Sequence, residues 1–181
     1  MSRYLPRKFY ADMLMSMNDM VDSLLAEWGE QRPELDCQAL SIVVRVQLLA
    51  KLMGKSAERA LAPLNLKLWE YDVLSALRRQ GRPYLMPASE LARASMLTSG
   101  AMTTRIDRLE ERGLVARVAD AEDRRGVNVR LTRAGLRLID EAIEARLRAA
   151  DAQLAALEGG ERSSVSDGLR KILVAQQLVN A

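Results

Sequence analysis

Apolar residues recur at helical spacing along most of this chain and alternate at period two in one region only. Leu14, Met17, Val21, Leu24 and Trp28 follow one another at intervals of three and four, predicting an amphipathic helix that Gly29 and Pro33 end. Asp36 is placed to cap a second helix over about residues 37–62, ahead of Pro63, with Leu40, Val43, Val44, Leu48, Leu52 and Leu61 as apolar positions. Leu66, Trp69, Val73 and Leu77 share a face of a third helix over 66–79, closed by Gly81 and Pro83. Residues 84–86 suit a short strand, and Ser89 starts a short helix to about Met96. Thr98 or Ser99 caps the next helix, whose Met102, Ile106 and Leu109 point inward, and Gly113 stops it. Leu114, Ala116 and Val118 then alternate, as do Val127, Val129 and Leu131 with Asn128 and Arg130 between them. Thr132 caps a long helix carrying Leu136, Ile139, Ile143, Leu147 and Leu154, which Gly159 and Gly160 break. Val165, Leu169, Ile172, Leu173 and Leu178 mark a last helix.

Two short helices, a β-hairpin and a returning helix make a winged helix-turn-helix. The expected fold is mainly α with a small β-hairpin wing, flanked by N- and C-terminal dimerisation helices. The expected division is an arm and added helix over 1–35, dimerisation helices over 36–62 and 132–181, and a DNA-binding region over 63–131. The flanking stripes would stay wet in a monomer, so a symmetric homodimer is expected, with two reading helices side by side.

Composition narrows the chemistry. The 181 residues are 49% apolar but only 4% aromatic, which suits an aliphatic, helical core. With 27 Lys and Arg against 24 Asp and Glu, the net charge of +3 is too mild to argue for nucleic acid alone. The density of Arg between Arg105 and Arg137 argues more. There is no His and one Cys, Cys37, so a Cys–His zinc site and a His-based catalytic dyad are excluded, and no metal or cofactor is expected. A lone Cys fits a reducing, cytoplasmic setting. No apolar run approaches membrane-spanning length, and the N-terminus, interrupted by Asn18, Asp19 and Asp22, is no signal peptide.

With Met102 at the centre of the buried side, Gly100, Thr104, Asp107 and Arg108 lie opposite, and Ser99 and Thr103 lie at the border. Ser99, Gly100, Thr103, Thr104 and Arg108 are the candidate groove contacts, Arg108 as a reader of guanine and Gly100 allowing close backbone approach. Arg124 and Arg125 at the wing tip suit a narrow minor groove, with Asp123 orienting Arg125. Arg105 falls about 60° from Met102, beside the buried seam, and so faces the protein more than a groove. Asp72 borders the apolar stripe of its helix and needs either a partner or a role.

The run DAEDRRGVNVRLTRAG resembles the wing signature of the multiple antibiotic resistance regulator (MarR) family, a D-x-R wing followed by L-T-x-x-G. Asp123, Arg125, Leu131, Thr132 and Gly135 match it, and the segment RLEERGLV is similar as well. The resemblance implies a homodimeric winged-helix repressor on a palindromic operator, released by a small phenolic or anionic ligand. The added N-terminal helix with its Trp resembles the urate-responsive PecS and HucR branch. That likeness implies a urate or related purine site from Trp28 in LLAEWGEQRPELD, Asp72 in LWEYDVLSALRRQG, Arg105 in TTRIDRLEERG and Arg117 in GLVARV. From the residues themselves, two Arg and a Trp suit a flat anion, and a structural ion pair of Asp72 with Arg105 or Arg117 is the plainer alternative. Rival readings are a repressor answering a phenolic acid or oxidation of Cys37, and a helical interaction protein that binds no DNA. An enzyme is disfavoured because no nucleophile–base pair, metal set or phosphate loop is present.

Overall fold

The computed structural model describes residues 17–95, 97–119 and 126–179. The basic arm at 1–11 and the wing-tip residues Asp123, Arg124 and Arg125 lie outside the described residues. The chain divides into two units, one formed by residues up to Met53 and from Ala150 onward, the other by Gly54–Ala149.

In the first unit, helix α1 (Met20–Gln31) starts on a capping box. Asp19 accepts from the N–H groups of Val21 and Asp22 at 2.8 and 3.1 Å, and Asp22 accepts from Asp19 N–H at 2.9 Å. Gly29 sits inside α1 rather than ending it, because a glycine weakens a helix by only about 1 kcal/mol. Asp36 caps α2 (Gln38–Leu61) by accepting from Gln38 N–H at 2.9 Å, as its position predicts. Arg45 on α2 pairs with Asp19 at 2.8 Å and Asp22 at 2.6 Å, tying the added helix to the second through the residues that cap it.

Gly159 and Gly160 open the last helix, α7 (Gly159–Val179), instead of separating it from its predecessor. The chain turns just before them, where Arg162 donates to the carbonyls of Leu154 and Leu157 and pairs with Asp151 at 2.7 Å. These bonds hold the turn that follows the preceding helix. No residue of α7 is buried, and Ile42, Val43, Leu49 and Leu52 of α2 are also exposed.

The second unit follows the expected winged order. A 3₁₀ turn (Ala62–Leu64) leads to α3 (Leu68–Arg79), β1 (Leu85–Pro87), α4 (Ala88–Ala94), α5 (Ser99–Glu111), β2 (Val115–Ala119), β3 (Val127–Leu131) and α6 (Arg133–Gln153). The three strands form an antiparallel sheet in the order β1-β3-β2, with Val115 opposite Leu131 and Met86 opposite Val129. Met102, Ile106 and Leu109 of α5 are all buried, packed with Val73, Leu74, Leu77, Leu91 and Ile139. The hairpin alternates less cleanly than its sequence: Leu114 and Val115 are both buried, Asn128 is buried and Val127 is exposed. The register explains this. Asn128 lies on the central strand, between Pro87 on one side and Val118 on the other, while Val127 sits at the open end.

Behind the hairpin, Thr132 accepts from Gly135 N–H at 3.0 Å and donates to the carbonyl of Gly113 at 2.7 Å. Gly135 then passes so close to β2 that a Cβ there would stand 2.0 Å from the carbonyl oxygen of Leu114. The L-T-x-x-G pattern is thus a cap plus a backbone-on-backbone contact. It fixes the wing against α6 and sets Gly113, at φ +67°, as the C-terminal stop of α5.

Candidate ligand pocket and nucleic-acid interface

The second unit contains a pocket of about 780 Å³ between the start of α3 and the inner flank of α5. Leu66, Leu68, Leu97 and Trp69 give it apolar walls, and Asp72 and Arg105 meet in it. The helical spacing of α3 explains the placement: Val73 and Leu77 face the core, so Trp69 and Asp72 emerge on the neighbouring flank. Arg105 leaves α5 beside its buried seam, and its guanidinium lies over the Trp69 ring, 5.3 Å from the centroid. That stacking leaves the guanidinium's in-plane N–H donors free to aim into the cavity. Asp72 makes no ion pair among the described residues. Burial pushes its carboxyl above the ordinary range, against the opposing fields of Arg146, Arg105 and Arg79. The plain alternative, a direct pair of Asp72 with Arg105 or Arg117, is therefore not what the side chains form.

Arg117 is held elsewhere. Asp107 and Glu110, one turn apart on α5, both take its guanidinium, and Glu110 also accepts from Arg117 N–H at 2.9 Å. Burial pulls the Arg117 pKa down, but hydrogen bonds to the two carboxylates more than offset this, and the net shift is upward. Arg117 does not line the pocket, and it staples β2 to α5. Trp28 belongs to the first unit, on α1, where it is 44% exposed. Within the second unit, Asp72 and Arg105 are brought together, and Trp69 is the aromatic wall beside them. Cys37 is a free, half-buried thiol just ahead of α2.

The opposite face of α5 is bare. Ser99, Gly100, Thr103, Thr104 and Arg108 are all exposed. Thr98 caps the helix by accepting from Ala101 N–H at 3.3 Å. Thr103 and Thr104 donate back to the carbonyls of Ser99 and Gly100 at 2.9 and 3.2 Å. Their hydroxyl oxygens stay available as acceptors on the outer surface. Asp107, also on this face, is occupied by Arg117, which removes most of its repulsion toward a phosphate.

Residues 64–126, from the end of the 3₁₀ turn to the start of β3, match the MarR family. The regulator PecS of Dickeya dadantii is 32% identical over 124 residues, spanning 68% of this chain and 75% of PecS. The chain belongs to the MarR family. It is a helix-turn-helix transcriptional regulator, not an enzyme. The repressor Mb2911 of Mycobacterium bovis is 42% identical over 97 residues, covering 54% of this chain and 67% of that one. Among solved structures, the MarR-family regulator AbsC of Streptomyces coelicolor superposes with a TM-score of 0.72 at 23% identity, covering 81% of this chain and 98% of AbsC. A cysteine-to-serine mutant of Escherichia coli MarR in complex with operator DNA does so with a TM-score of 0.65 at 22% identity, over 86% and 99% of the two chains. Both share the fold.

This MarR-family chain also contains an ion pair that its sequence did not advertise. Glu70, 3% exposed, caps α3 by accepting from Lys67 N–H at 2.8 Å, and its other oxygen meets Arg112 at 2.7 Å. Arg112, the residue that closes α5, donates in turn to the carbonyl of Asn65 at 2.8 Å. The pocket wall at Asn65 and Lys67 is thereby hydrogen-bonded to the end of the recognition helix. Only the position of Glu70 at the third residue of a helix hinted at the cap. Nothing hinted at its burial. Among the described residues no cluster of carboxylates or Cys could hold a metal ion, and no helix is long and apolar enough to cross a membrane.

Proposed function

We propose that this regulator is a cytoplasmic homodimeric repressor that holds a palindromic operator and releases it when urate, or a similar small aromatic anion, enters the Asp72–Arg105 pocket. One observation carries the reading. Arg105 is on the recognition helix, yet its guanidinium stacks on Trp69 inside the pocket instead of facing outward. A ligand that takes hold of Arg105 therefore pulls on the element that reads DNA. An anion competes with Trp69 for Arg105 and is repelled by Asp72. The resulting shift of α5 moves its half-site away from the one-turn spacing of roughly 34–36 Å that adjacent major grooves require. The ligand acts only through its preference for the DNA-incompetent arrangement.

Ser99, Gly100, Thr103, Thr104 and Arg108 are the proposed groove contacts, with Arg124 and Arg125 for the minor groove and Asp123 orienting the wing. The wet apolar stripe of α7, with that of α2, supports dimerisation, since each large aliphatic side chain covered contributes about 1.5–3 kcal/mol.

Ligand-dependent thermal shift tests the pocket. At a hundredfold excess over the dissociation constant, urate should stabilise the protein by about 2.7 kcal/mol, raising Tm by about 5–10 °C. Xanthine and salicylate in the same panel separate purines from phenolic acids. Arg105→Ala should keep the fold and lose the shift, and Trp28→Phe reports whether the added helix shares in binding. A urate shift of full size in Arg105→Ala sinks the scheme.

A further inference from the structure

Beside the Trp69 chamber lies a smaller one of about 250 Å³, lined by Ser75, Arg79 and Ala94 in addition to three residues that line both, Asp72, Ser95 and Arg105. The two spaces differ in chemistry. The larger has apolar walls, and its charges cancel, with Glu58 and Asp72 against Lys67 and Arg105. The smaller has Arg79 and Arg105 against Asp72 alone, an excess of one cation. Arg79 is also braced. One of its terminal nitrogens donates to Ser75 Oγ at 3.1 Å, and that hydroxyl, on a residue only 5% exposed, donates to the carbonyl of Asp72 at 3.1 Å. Ser75 thus spends its proton on the backbone and can only accept from Arg79, which fixes the guanidinium by one corner. A guanidinium has five N–H donors in a planar fork, so most of them remain for a ligand.

We propose that Arg79 is a second anion-binding group, and that the small chamber takes the charged end of a flat anion while the Trp69 chamber takes its ring. This rests on the ligand reading above and adds to it a residue and a polarity. Arg79 supplies the second guanidinium that the family resemblance placed at Arg117, which Asp107 and Glu110 already occupy. With two guanidinium groups flanking one carboxylate, a monoanion brings the small chamber to neutrality. A neutral ring of the same shape gains nothing from Arg79.

Isothermal titration calorimetry with urate as the anionic probe and hypoxanthine as the neutral flat one tests this on the intact protein. Arg79→Gln should weaken urate binding by at least about tenfold, the cost of one charge-assisted contact. Arg79→Lys should restore part of it, and hypoxanthine should bind both variants as it binds wild type. Melting temperatures of the unliganded variants should lie close to wild type, because Arg79 is exposed and Ser75 keeps its own bond to the Asp72 carbonyl when Arg79 is replaced. Wild-type urate affinity in Arg79→Gln, with binding lost in Arg105→Gln, overturns the role of Arg79 and leaves the pocket standing. An equal loss of hypoxanthine and urate in Arg79→Gln also overturns it, since Arg79 would then shape the cavity and not read charge. No urate binding by the wild type overturns both this inference and the ligand reading beneath it.

Discussion

Replacing Gly135 by Ala adds one methyl group at the place where α6 crosses the entry to β2. That carbon would stand 2.0 Å from the Leu114 carbonyl oxygen, 2.9 Å from its carbon and 3.2 Å from its Cα. All three are backbone atoms, so no side-chain rotation relieves the overlap, and the helix and hairpin must part by about 1.4 Å to reach ordinary contact. The crossing also carries Thr132 N–H to the Leu114 carbonyl at 3.1 Å and Thr132 Oγ1 to the Gly113 carbonyl at 2.7 Å. Overpacking costs about 1–3 kcal/mol, and each weakened hydrogen bond adds about 0.5–1.5 kcal/mol. A loss of about 2–6 kcal/mol lowers Tm by roughly 4–24 °C in a chain of this size. Gly100→Ala is the matched control. Nothing lies within 4 Å of its added carbon and its residue is helical, so its Tm should stay level or rise slightly. Thermal unfolding followed by circular dichroism reads both. If Gly135→Ala melts with wild type, the close approach is not a constraint and this account of the L-T-x-x-G pattern is wrong.

Other consequences can be measured with the same preparations. Arg112→Met leaves Glu70 buried without its cation. Breaking a buried pair costs about 3–5 kcal/mol, and the partial exposure of Arg112 brings this nearer about 2, so urea denaturation should show a lowered midpoint that Glu70→Gln in the same background largely restores. Asp72 has a raised pKa in the folded protein, so the native state holds its proton longer than the unfolded chain. Stability therefore falls as pH rises from the ordinary Asp value of 3.8 through the raised one; Asp72→Asn should remove that decline and tighten urate binding, both read by melts across a pH series. Asp19 behaves oppositely. The Arg45 hydrogen bond holds its pKa down at about 2, so its contribution is present above pH 3.8 and lost as pH falls toward 2, and Asp19→Asn should flatten the acid limb of the same series.

Periodicity recovered most of the second unit because its elements bury one face each. The inward stripe of α5, the caps at Thr98 and Thr132, and the stop at Gly113 all follow from local rules that tertiary contacts did not override, as does the Asp36 cap in the first unit. The glycines misled where propensity was weak evidence. Gly29, Gly159 and Gly160 sit in exposed helices that bury little, so their cost is small and nothing local forbids them. Side-chain direction was legible for Arg105, from its angle to Met102. It was not legible for Arg117, although Asp107 and Glu110 at one-turn spacing ahead of it were a visible claim on its charge. Trp69 was counted with the core, and sequence spacing cannot tell a packed aromatic from one whose outer face walls a cavity. The burial of Glu70 depends on Arg112 arriving from forty-two positions away, a contact that no single-helix pattern encodes.

Fluorescence anisotropy of a palindromic duplex, selected from genomic DNA by the protein itself, reads binding across a salt series and then release by urate at one fixed salt. Binding should be tight and weaken as salt rises, urate should release the wild type, and Arg105→Ala should stay bound whatever the urate concentration. Urate-driven release that survives in Arg105→Ala, or a wild-type complex that urate never loosens, would contradict this mechanism.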